Sequence, residues 1–280
     1  MLPNFFVIGA TRAGTTSLFQ YLRQHPDIFL PDIKEVWGFN VDDRHAQLEQ
    51  YYAKVMKARR DEKRVGDITP IYLTKGLLYP SYGAPAYYSD SDSAIRRISR
   101  ACPDARIIVT LRSPMSRLMS QYKKNHFQGK KGVADTLEAH AEAMLAGDCL
   151  PQNDYILANH YAQHLGELYD VFDKEQVQIL ILEEWAKDPD ASVKEMLRFL
   201  ELDENAPIDT SKQYNGANNY KTKGKSLAKL FSNLRPAPKT PSGDPFRLSS
   251  QTRTRMIERF TGDIAYVESL VGRQLPSWQS

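Results

Sequence analysis

The chain has 280 residues, of which 41% are hydrophobic and 25% are charged, and its formal net charge is +3 at pH 7. This length allows one large or two small domains, and the composition excludes a disordered or fibrous protein. The small net charge does not indicate nucleic-acid binding. No apolar run approaches the roughly 20 residues that a membrane-spanning helix needs, and the N-terminus shows no secretory signal. The sequence therefore predicts a cytoplasmic protein.

The first elements in the chain form a strand, a loop and the start of a helix. Four apolar residues, 5–8, predict a buried strand, and Thr15-Thr16-Ser17 opens a helix that runs to Gln24. Between them lies a loop bounded by Gly9 and Gly14. A helix N-terminus that follows such a loop presents backbone N–H groups to an anion. The segment therefore predicts a phosphate site.

The loop nearly matches the nucleotide-binding pattern G-x-x-x-x-G-K-[ST], since its two glycines have the correct spacing. The lysine of that pattern is replaced by Thr15, and the only cation in the loop is Arg12. A glycine-rich turn with an ordinary arginine is the alternative interpretation, which the strand–loop–helix context disfavours.

The rest of the chain alternates between strands and helices. Apolar periodicity predicts a single α/β domain, residues 1–280, with a central, mainly parallel sheet flanked by helices. Predicted strands fall at 28–30, within 64–73, at 105–111 and at 176–182; predicted helices fall at 42–57, 91–102, 114–125, 133–146, 155–172, 190–202 and 250–270. Two loops are predicted, at 76–90 and 208–244, the second containing a short helical piece at 227–234. Cys102 and Cys149 have no metal-binding spacing and are predicted to be free thiols.

The strand at 105–111 ends in Arg112 rather than in an acidic residue. A nucleotide kinase or ATPase needs an acidic residue near its phosphate loop to hold Mg²⁺. Arg112 has the wrong sign for that role and the right sign for a second phosphate. Glu183 and Glu184 follow a later strand and keep the metal-dependent alternative open.

Residues 9–18 resemble the 5′-phosphosulfate loop of sulfotransferases that use 3′-phosphoadenosine 5′-phosphosulfate (PAPS). In that family a cation, commonly lysine, precedes a Gly-Thr-Thr triplet. The second family motif is an arginine at a strand end with a serine eight positions later, and Arg112 and Ser120 have that spacing. The resemblance implies that these two residues bind the 3′-phosphate. It implies that Arg12 stabilises the leaving group and that the loop and helix start hold the 5′-phosphate, through residues Ala13, Gly14, Thr15, Thr16 and Ser17.

Weaker motifs are similar to the heparan-sulfate branch of the family and its bacterial relatives. Lys34-Glu35 with Trp37 and Phe39 resembles the segment whose glutamate is the catalytic base. Thr69-Pro70-x-Tyr72 resembles a turn of that branch, and Lys223-Gly224 resembles the late loop that closes over the nucleotide. The resemblance implies Glu35 as the base. His126, at the end of the predicted helix that carries Ser120, is the alternative base. No metal is implied.

Two positions depart from the family pattern. Arg12 replaces the commoner lysine, and Ile68 stands where the heparan branch often has a lysine before the Ser/Thr-Pro pair. The second departure makes a polymeric, sulfated sugar a poorer candidate for the acceptor. The expected acceptor is a hydroxyl-bearing small molecule, lipid or saccharide. A nucleotide kinase that uses ATP and Mg²⁺, and a non-catalytic nucleotide-binding protein, are the competing functions.

Overall fold

A computed structural model describes residues 1–149, 154–212, 214 and 244–279. The chain divides into two compact units, the first formed by Met1–Arg112 and Ala162–Tyr214 and the second by Ser113–Tyr161 and Asn215–Ser280. Most of the predicted loop at 208–244, with its helical piece at 227–234, lies outside the described residues. Lys223 and Gly224 lie there too.

The first unit contains a five-stranded sheet with the strand order β2-β3-β1-β6-β7. All of its neighbouring strands pair in parallel. The strands of the described chain are β1 (Phe5–Gly9), β2 (Ile28–Phe29), β3 (Arg64–Ile68), β4 (Leu77–Leu78), β5 (Tyr87–Tyr88), β6 (Arg106–Leu111) and β7 (Val177–Ile181). β1 and β6 are almost completely buried, as expected for inner strands of a sheet that is covered on both faces. The prediction of an α/β fold with a mainly parallel sheet is confirmed.

Helices connect these strands and build the second unit. They are α1 (Thr15–Leu22), α2 (Asp42–His45), α3 (Leu48–Val55), α4 (Ala94–Ala101), α5 (Pro114–Phe127), α6 (Leu137–Ala146), α7 (Tyr161–Tyr169), α8 (Leu182–Trp185), α9 (Pro189–Phe199) and α10 (Ser250–Val271). Short 3₁₀ turns lie at Pro70–Leu73, Leu157–Asn159, Lys174–Gln176 and Pro276–Trp278. One apolar core in the first unit joins α1, α9 and the sheet, with Leu18, Ile108 and Met196 all fully buried.

The second unit is helical in the part that the structure describes. α10 packs on α5 and α6. The Ser249 side chain caps α10 by accepting from the Thr252 backbone N–H. The same serine and Thr252 bind Glu138 of α6. Buried Arg117 of α5 donates to the Ala158 carbonyl and to Asn159, which ties α5 to the 3₁₀ turn at Leu157–Asn159.

Three sequence predictions of local structure are wrong. The helix predicted at 155–172 is a 3₁₀ turn, Leu157–Asn159, followed by the shorter α7. The single helix predicted at 42–57 is two helices, α2 and α3, broken at Ala46 and Gln47. α2 closes with the short i→i−3 bond from the Gln47 N–H to the Arg44 carbonyl, and the helical ladder resumes with the bond from the Tyr51 N–H to the Gln47 carbonyl. The predicted loop at 76–90 contains the antiparallel pair β4 and β5. No helix among the described residues is long and apolar enough to span a membrane.

Candidate active site

The loop predicted to bind a phosphate runs from the end of β1 to the start of α1, at the carboxyl edge of the sheet. Arg12 and Gly14 both have positive φ angles, +68° and +86°. Gly14 occupies the N-cap of α1 without a side-chain cap, so the first N–H groups of the helix point out of its end. The strand–loop–helix prediction is confirmed by the observed elements, with α1 ending at Leu22 and not at Gln24.

Two buried side chains beneath the loop fix its path. The Thr110 hydroxyl of β6 donates to the Ala13 carbonyl at 2.8 Å, and the Trp185 indole N–H donates to the same hydroxyl at 2.9 Å. The indole also packs directly under Gly14, where an added Cβ would lie only 2.3 Å from Trp185. Gly14 is therefore required both by its backbone conformation and by the close packing of the indole.

The first turn of α1 is largely buried, with Thr15 only 5% exposed. The Ser17 hydroxyl donates to the Tyr214 carbonyl and accepts from the Tyr214 N–H, both at 3.3 Å. Tyr21, one turn later, donates to the Lys212 carbonyl at 2.9 Å. The Ser17 hydroxyl would have to exchange these bonds in order to bind a phosphate, so its phosphate role stays a prediction.

Arg112 follows β6, which lies next to β1 in the sheet. Its Nη1 donates to the carbonyl oxygen of Arg12 at 3.2 Å. The side chain is half-buried. The arginines of the two sequence motifs, 100 residues apart, therefore meet at one edge of the sheet, as parallel strand ends should.

Glu35 lies in a turn, residues 34–39, between β2 and α2. Glu35 and Trp37 both adopt left-handed backbone conformations, with φ of +68° and +60°. Such a conformation costs a non-glycine residue on the order of 1–3 kcal/mol and persists only where surrounding contacts impose it. The Glu35 N–H donates to the Ile68 carbonyl at 3.2 Å. Lys34 Nζ binds Glu35 Oε1 at 2.8 Å, and 40% of the Glu35 side chain is exposed.

The outer side of this turn is held through the Val36 carbonyl. Arg44 Nη1 and the Tyr51 hydroxyl both donate to that oxygen at 2.7 Å. The Arg44 guanidinium lies over the rings of Tyr51 and Tyr82, 5.1 and 4.6 Å from their centroids. Because a charged donor and a hydroxyl both bind this carbonyl, the Val36–Trp37 peptide is strongly constrained.

The inner side of the turn faces a fully buried carboxylate, Asp67 of β3. Its Oδ2 accepts from the hydroxyls of Tyr52 (2.5 Å) and Tyr72 (2.9 Å), and its Oδ1 accepts from the Thr69 hydroxyl (2.6 Å). Burial raises the pKa of the Asp67 carboxyl; the three hydroxyl donors oppose that shift, and the negative charge of Glu35 adds to it. Burial also raises the pKa of Tyr52 and of Tyr72, which keeps both hydroxyls protonated as donors.

An aromatic surface borders the same turn. The half-buried Trp37 packs against Tyr79 and Tyr82, with ring centroids 5.3 and 5.7 Å apart. Tyr82 is 68% exposed. Two tyrosines of the loop predicted at 76–90 therefore pack against Trp37, two residues after Glu35.

Two further predicted site residues, Ser120 and His126, belong to the second unit. Ser120 is half-buried in α5 of the second unit. His126, on the same helix, packs against the rings of Tyr122 and Phe246. In the described ranges no group of three or more His, Cys, Asp or Glu side chains is placed to hold a metal ion.

Sequence reasoning missed three residues that shape this site: Asp67, Thr110 and Trp185. All three are buried, and Thr110 and Trp185 act through partners distant in sequence, so spacing gives no direct signal for those two. Asp67 gives one signal in the sequence, because it is an acidic residue in a short predicted strand just before Thr69-Pro70. An acidic residue in an inner strand needs hydrogen-bond donors around it, and the nearby tyrosines could have suggested them.

Comparison with known proteins identifies the family. The sequence profile of the Sulfotransferase family matches residues 3–206, and the chain belongs to this family. Its phosphate loop, the Glu35 turn and Arg112 all lie within the matched range. The prediction made from the two phosphate motifs is thereby confirmed at the level of the family.

Similar proteins include enzymes and solved structures. The chain is 28% identical over 210 residues to the mouse bifunctional heparan sulfate N-deacetylase/N-sulfotransferase 4, covering 71% of the chain and 22% of that enzyme. The sulfotransferase structure from Alicyclobacillus acidocaldarius is 26% identical with a TM-score of 0.71, covering all of both chains. Mouse sulfotransferase SULT7A1 complexed with PAP (adenosine 3′,5′-bisphosphate) has the same fold, with 16% identity and a TM-score of 0.50, covering 96% and 86% of the two chains. The chain spans less than a third of the length of the first curated relatives that it matches.

Proposed function

We propose that this chain transfers a sulfuryl group from PAPS to an acceptor hydroxyl. The observation that carries the proposal is the bond from Arg112 Nη1 to the Arg12 carbonyl, since it brings the arginines of both phosphate motifs to one edge of the sheet. Family membership supports the same reaction. PAPS, when bound, supplies the sulfuryl group and two separate phosphate charges.

The 5′-phosphate is assigned to the loop and the start of α1. The residues Ala13, Gly14, Thr15, Thr16 and Ser17 are assigned to hold it, mainly through backbone N–H groups at the helix start. Arg12 is assigned to the leaving-group oxygen, where negative charge grows during transfer. The loop fits these roles because Thr110 and Trp185 already hold its path.

The 3′-phosphate is assigned to Arg112. A guanidinium gives a phosphate monoester charged, directional hydrogen bonds. The family motif adds Ser120, on the strength of its spacing from Arg112, and Lys223 with Gly224 for the loop over the nucleotide. These two assignments rest on the resemblance of the sequence alone.

Glu35 is assigned as the base that takes the proton of the acceptor hydroxyl. Its carboxylate is partly exposed and forms an ion pair with Lys34, its chain neighbour. A partly exposed ion pair contributes only about 0–1 kcal/mol, so Lys34 can orient the carboxylate without blocking proton uptake.

The acceptor is assigned to the surface beside Glu35 that Trp37 and Tyr82 form. Exposed aromatic rings suit the apolar face of a sugar or of another ring-bearing molecule. The heparan sulfate enzyme among the relatives favours a saccharide. A hydroxyl-bearing small molecule fits the same surface, and Ile68 argues against a densely sulfated polymer.

Two measurements test the function. Thermal shifts with PAP and with ATP–Mg²⁺ separate a sulfotransferase from a nucleotide kinase, and stabilisation by ATP–Mg²⁺ alone would contradict the proposal. Transfer of ³⁵S from PAPS to a panel of alcohols, phenols and saccharides then separates an enzyme from a non-catalytic nucleotide-binding protein.

The role of Glu35 is tested in the same assay. Glu35→Gln should reduce transfer at least about 100-fold while PAP still binds, since general-base catalysis contributes 10²–10⁴-fold. Glu62→Gln changes a carboxylate outside the site and serves as the matched control. Transfer by Glu35→Gln at the wild-type rate would assign the base elsewhere, with His126→Gln as the next variant.

A further inference from the structure

The hydroxyl protons around Asp67 are all directed inward. Tyr52, Tyr72 and Thr69 each donate their single hydroxyl proton to this carboxylate. A hydroxyl that has given its proton to a carboxylate can only accept at its remaining lone pairs. The carboxylate of Asp67 therefore decides the direction of every hydrogen bond that these hydroxyls make on their other side.

Two of those hydroxyls accept from the turn that carries Glu35. The Phe39 N–H donates to the Tyr72 hydroxyl at 3.3 Å, and the Trp37 N–H donates to Thr69 Oγ1 at 3.5 Å. Both bonds are long, so each is weak by itself. They act together with the bond from the Glu35 N–H to the Ile68 carbonyl, in the strand that carries Asp67.

The turn needs these contacts because of its backbone conformation. Glu35 and Trp37 are left-handed without being glycine, and other conformations of the turn would relieve both residues. Arg44 and Tyr51 hold the Val36 carbonyl from outside, and the hydroxyls that Asp67 orients hold the N–H groups from inside. The direction of the Glu35 side chain follows from the conformation that both sets of contacts impose.

We propose that Asp67 is a positioning residue for Glu35: by orienting the hydroxyls of Thr69 and Tyr72 as acceptors, it fixes the turn that holds the Glu35 carboxylate against the acceptor. The proposal rests on the proposed function for the role of Glu35. The control of the turn itself does not depend on that function. A buried carboxylate is costly, and an amide of the same shape would fill the space equally well but would not orient all three hydroxyls.

Asp67→Asn tests this step with little change in volume. The new NH₂ group replaces either Oδ1, which faces Thr69, or Oδ2, which faces Tyr72. The hydroxyl that it faces must then direct its proton toward a backbone N–H of the turn. We expect kcat to fall at least tenfold, while the KM for PAPS and the affinity for PAP stay within twofold. Glu167→Gln is the matched control, because Glu167 is also a buried carboxylate of the first unit but pairs with Arg96. It should keep its kcat.

Thr69 provides a second pair of variants, in case Asp67→Asn does not fold. Thr69→Val has the same shape but no hydroxyl and should lower kcat at least tenfold, whereas Thr69→Ser should recover at least a third of the wild-type rate. Hydrogen exchange at the amides of 35–39 is the readout that does not need activity. It should become faster in Asp67→Asn and in Thr69→Val, and not in Glu167→Gln.

Unchanged exchange at 35–39 in both Asp67→Asn and Thr69→Val would overturn the proposal, and so would wild-type kcat in Thr69→Val. A wild-type protein that transfers no sulfuryl group would contradict the proposed function instead. The exchange measurement would then still show whether Asp67 controls the turn.

Discussion

Arg112 donates a hydrogen bond from Nη1 to the carbonyl oxygen of Arg12, 3.2 Å away. The bond joins the end of β6 to the loop after β1. The acceptor is the backbone of Arg12 and not its side chain. Arg112 therefore has two possible effects on nucleotide binding, a direct one and one through the loop.

A comparison of two nucleotides separates these effects. Arg112→Ala should weaken PAP binding by at least about 1.5 kcal/mol, roughly tenfold, because a charged hydrogen bond to the 3′-phosphate is lost. Adenosine 5′-monophosphate lacks that phosphate and should lose little affinity. Isothermal titration calorimetry measures both. Equal losses for the two nucleotides would mean that Arg112 acts only through the loop.

Arg12 is predicted to act mainly on the rate. Arg12→Ala should lower kcat by about 10²–10³, as is typical when a donor to developing negative charge is removed. Arg12→Lys keeps the charge but not the planar fork and should retain more activity. Arginine, alanine and lysine all have a Cβ and bear the same steric cost of the left-handed backbone at position 12, so the variants differ only in their side chains. A kcat within threefold of wild type in Arg12→Ala, measured by ³⁵S transfer, would remove Arg12 from the reaction.

Gly14 is predicted to be needed for packing as well as for its φ angle. Gly83 has a similar φ, +81° against +86°, but an added Cβ there would meet nothing within 4 Å. Gly83→Ala should therefore cost about 1–2 kcal/mol of unfolding free energy from the backbone alone. Gly14→Ala should cost a further 1–3 kcal/mol or so, because the new methyl group overlaps Trp185. Urea denaturation of both variants checks this, and equal losses would contradict the packing argument.

The two cysteines are predicted to resist alkylation in the native protein. Burial, with a contribution from the charge of Asp67, raises the pKa of Cys102 to about 12. Since its ordinary value is 9.0, Cys102 carries about a thousandfold less thiolate at pH 8 than an exposed thiol. Burial also raises the pKa of Cys149.

Iodoacetamide treatment followed by mass spectrometry measures this reactivity. Modification should be slow at pH 8 and become faster as the pH rises toward 12, because more of each thiol ionises. The urea-unfolded protein is the control and should react at both cysteines. Rapid native modification of Cys102 at pH 8 would contradict the assigned burial.

The parts of the fold that could be predicted from sequence are those with local signals. The apolar runs at Phe5–Gly9 and Arg106–Leu111 predict the two inner strands, and Gly9 and Gly14 predict the loop between β1 and α1. The break between α2 and α3 has no such signal, because no glycine or proline marks it. The start of α2 likewise has a partner far along the chain, because the Asp42 N–H donates to the Tyr79 carbonyl.

The candidate site also contains residues with a sequence signal and residues without one. Arg12, Glu35 and Arg112 could be found because family motifs mark them at fixed spacing. The residues that hold them could not, since Thr110 and Trp185 meet beneath the loop only after the sheet has formed. Asp67 and Tyr52 likewise come together from separate elements. Tertiary hydrogen bonds of this kind leave no periodic pattern in a sequence.

The left-handed backbones of Arg12 and Glu35 place stability and activity in opposition. Glycine is the residue that adopts φ near +68° without steric cost, so it is the substitution most favoured by the local backbone at both positions. A library selected only for thermal resistance should enrich glycine at positions 12 and 35. The same library selected for sulfuryl transfer should exclude glycine at both positions. The two side chains proposed for the chemistry are thus retained although the local backbone favours glycine.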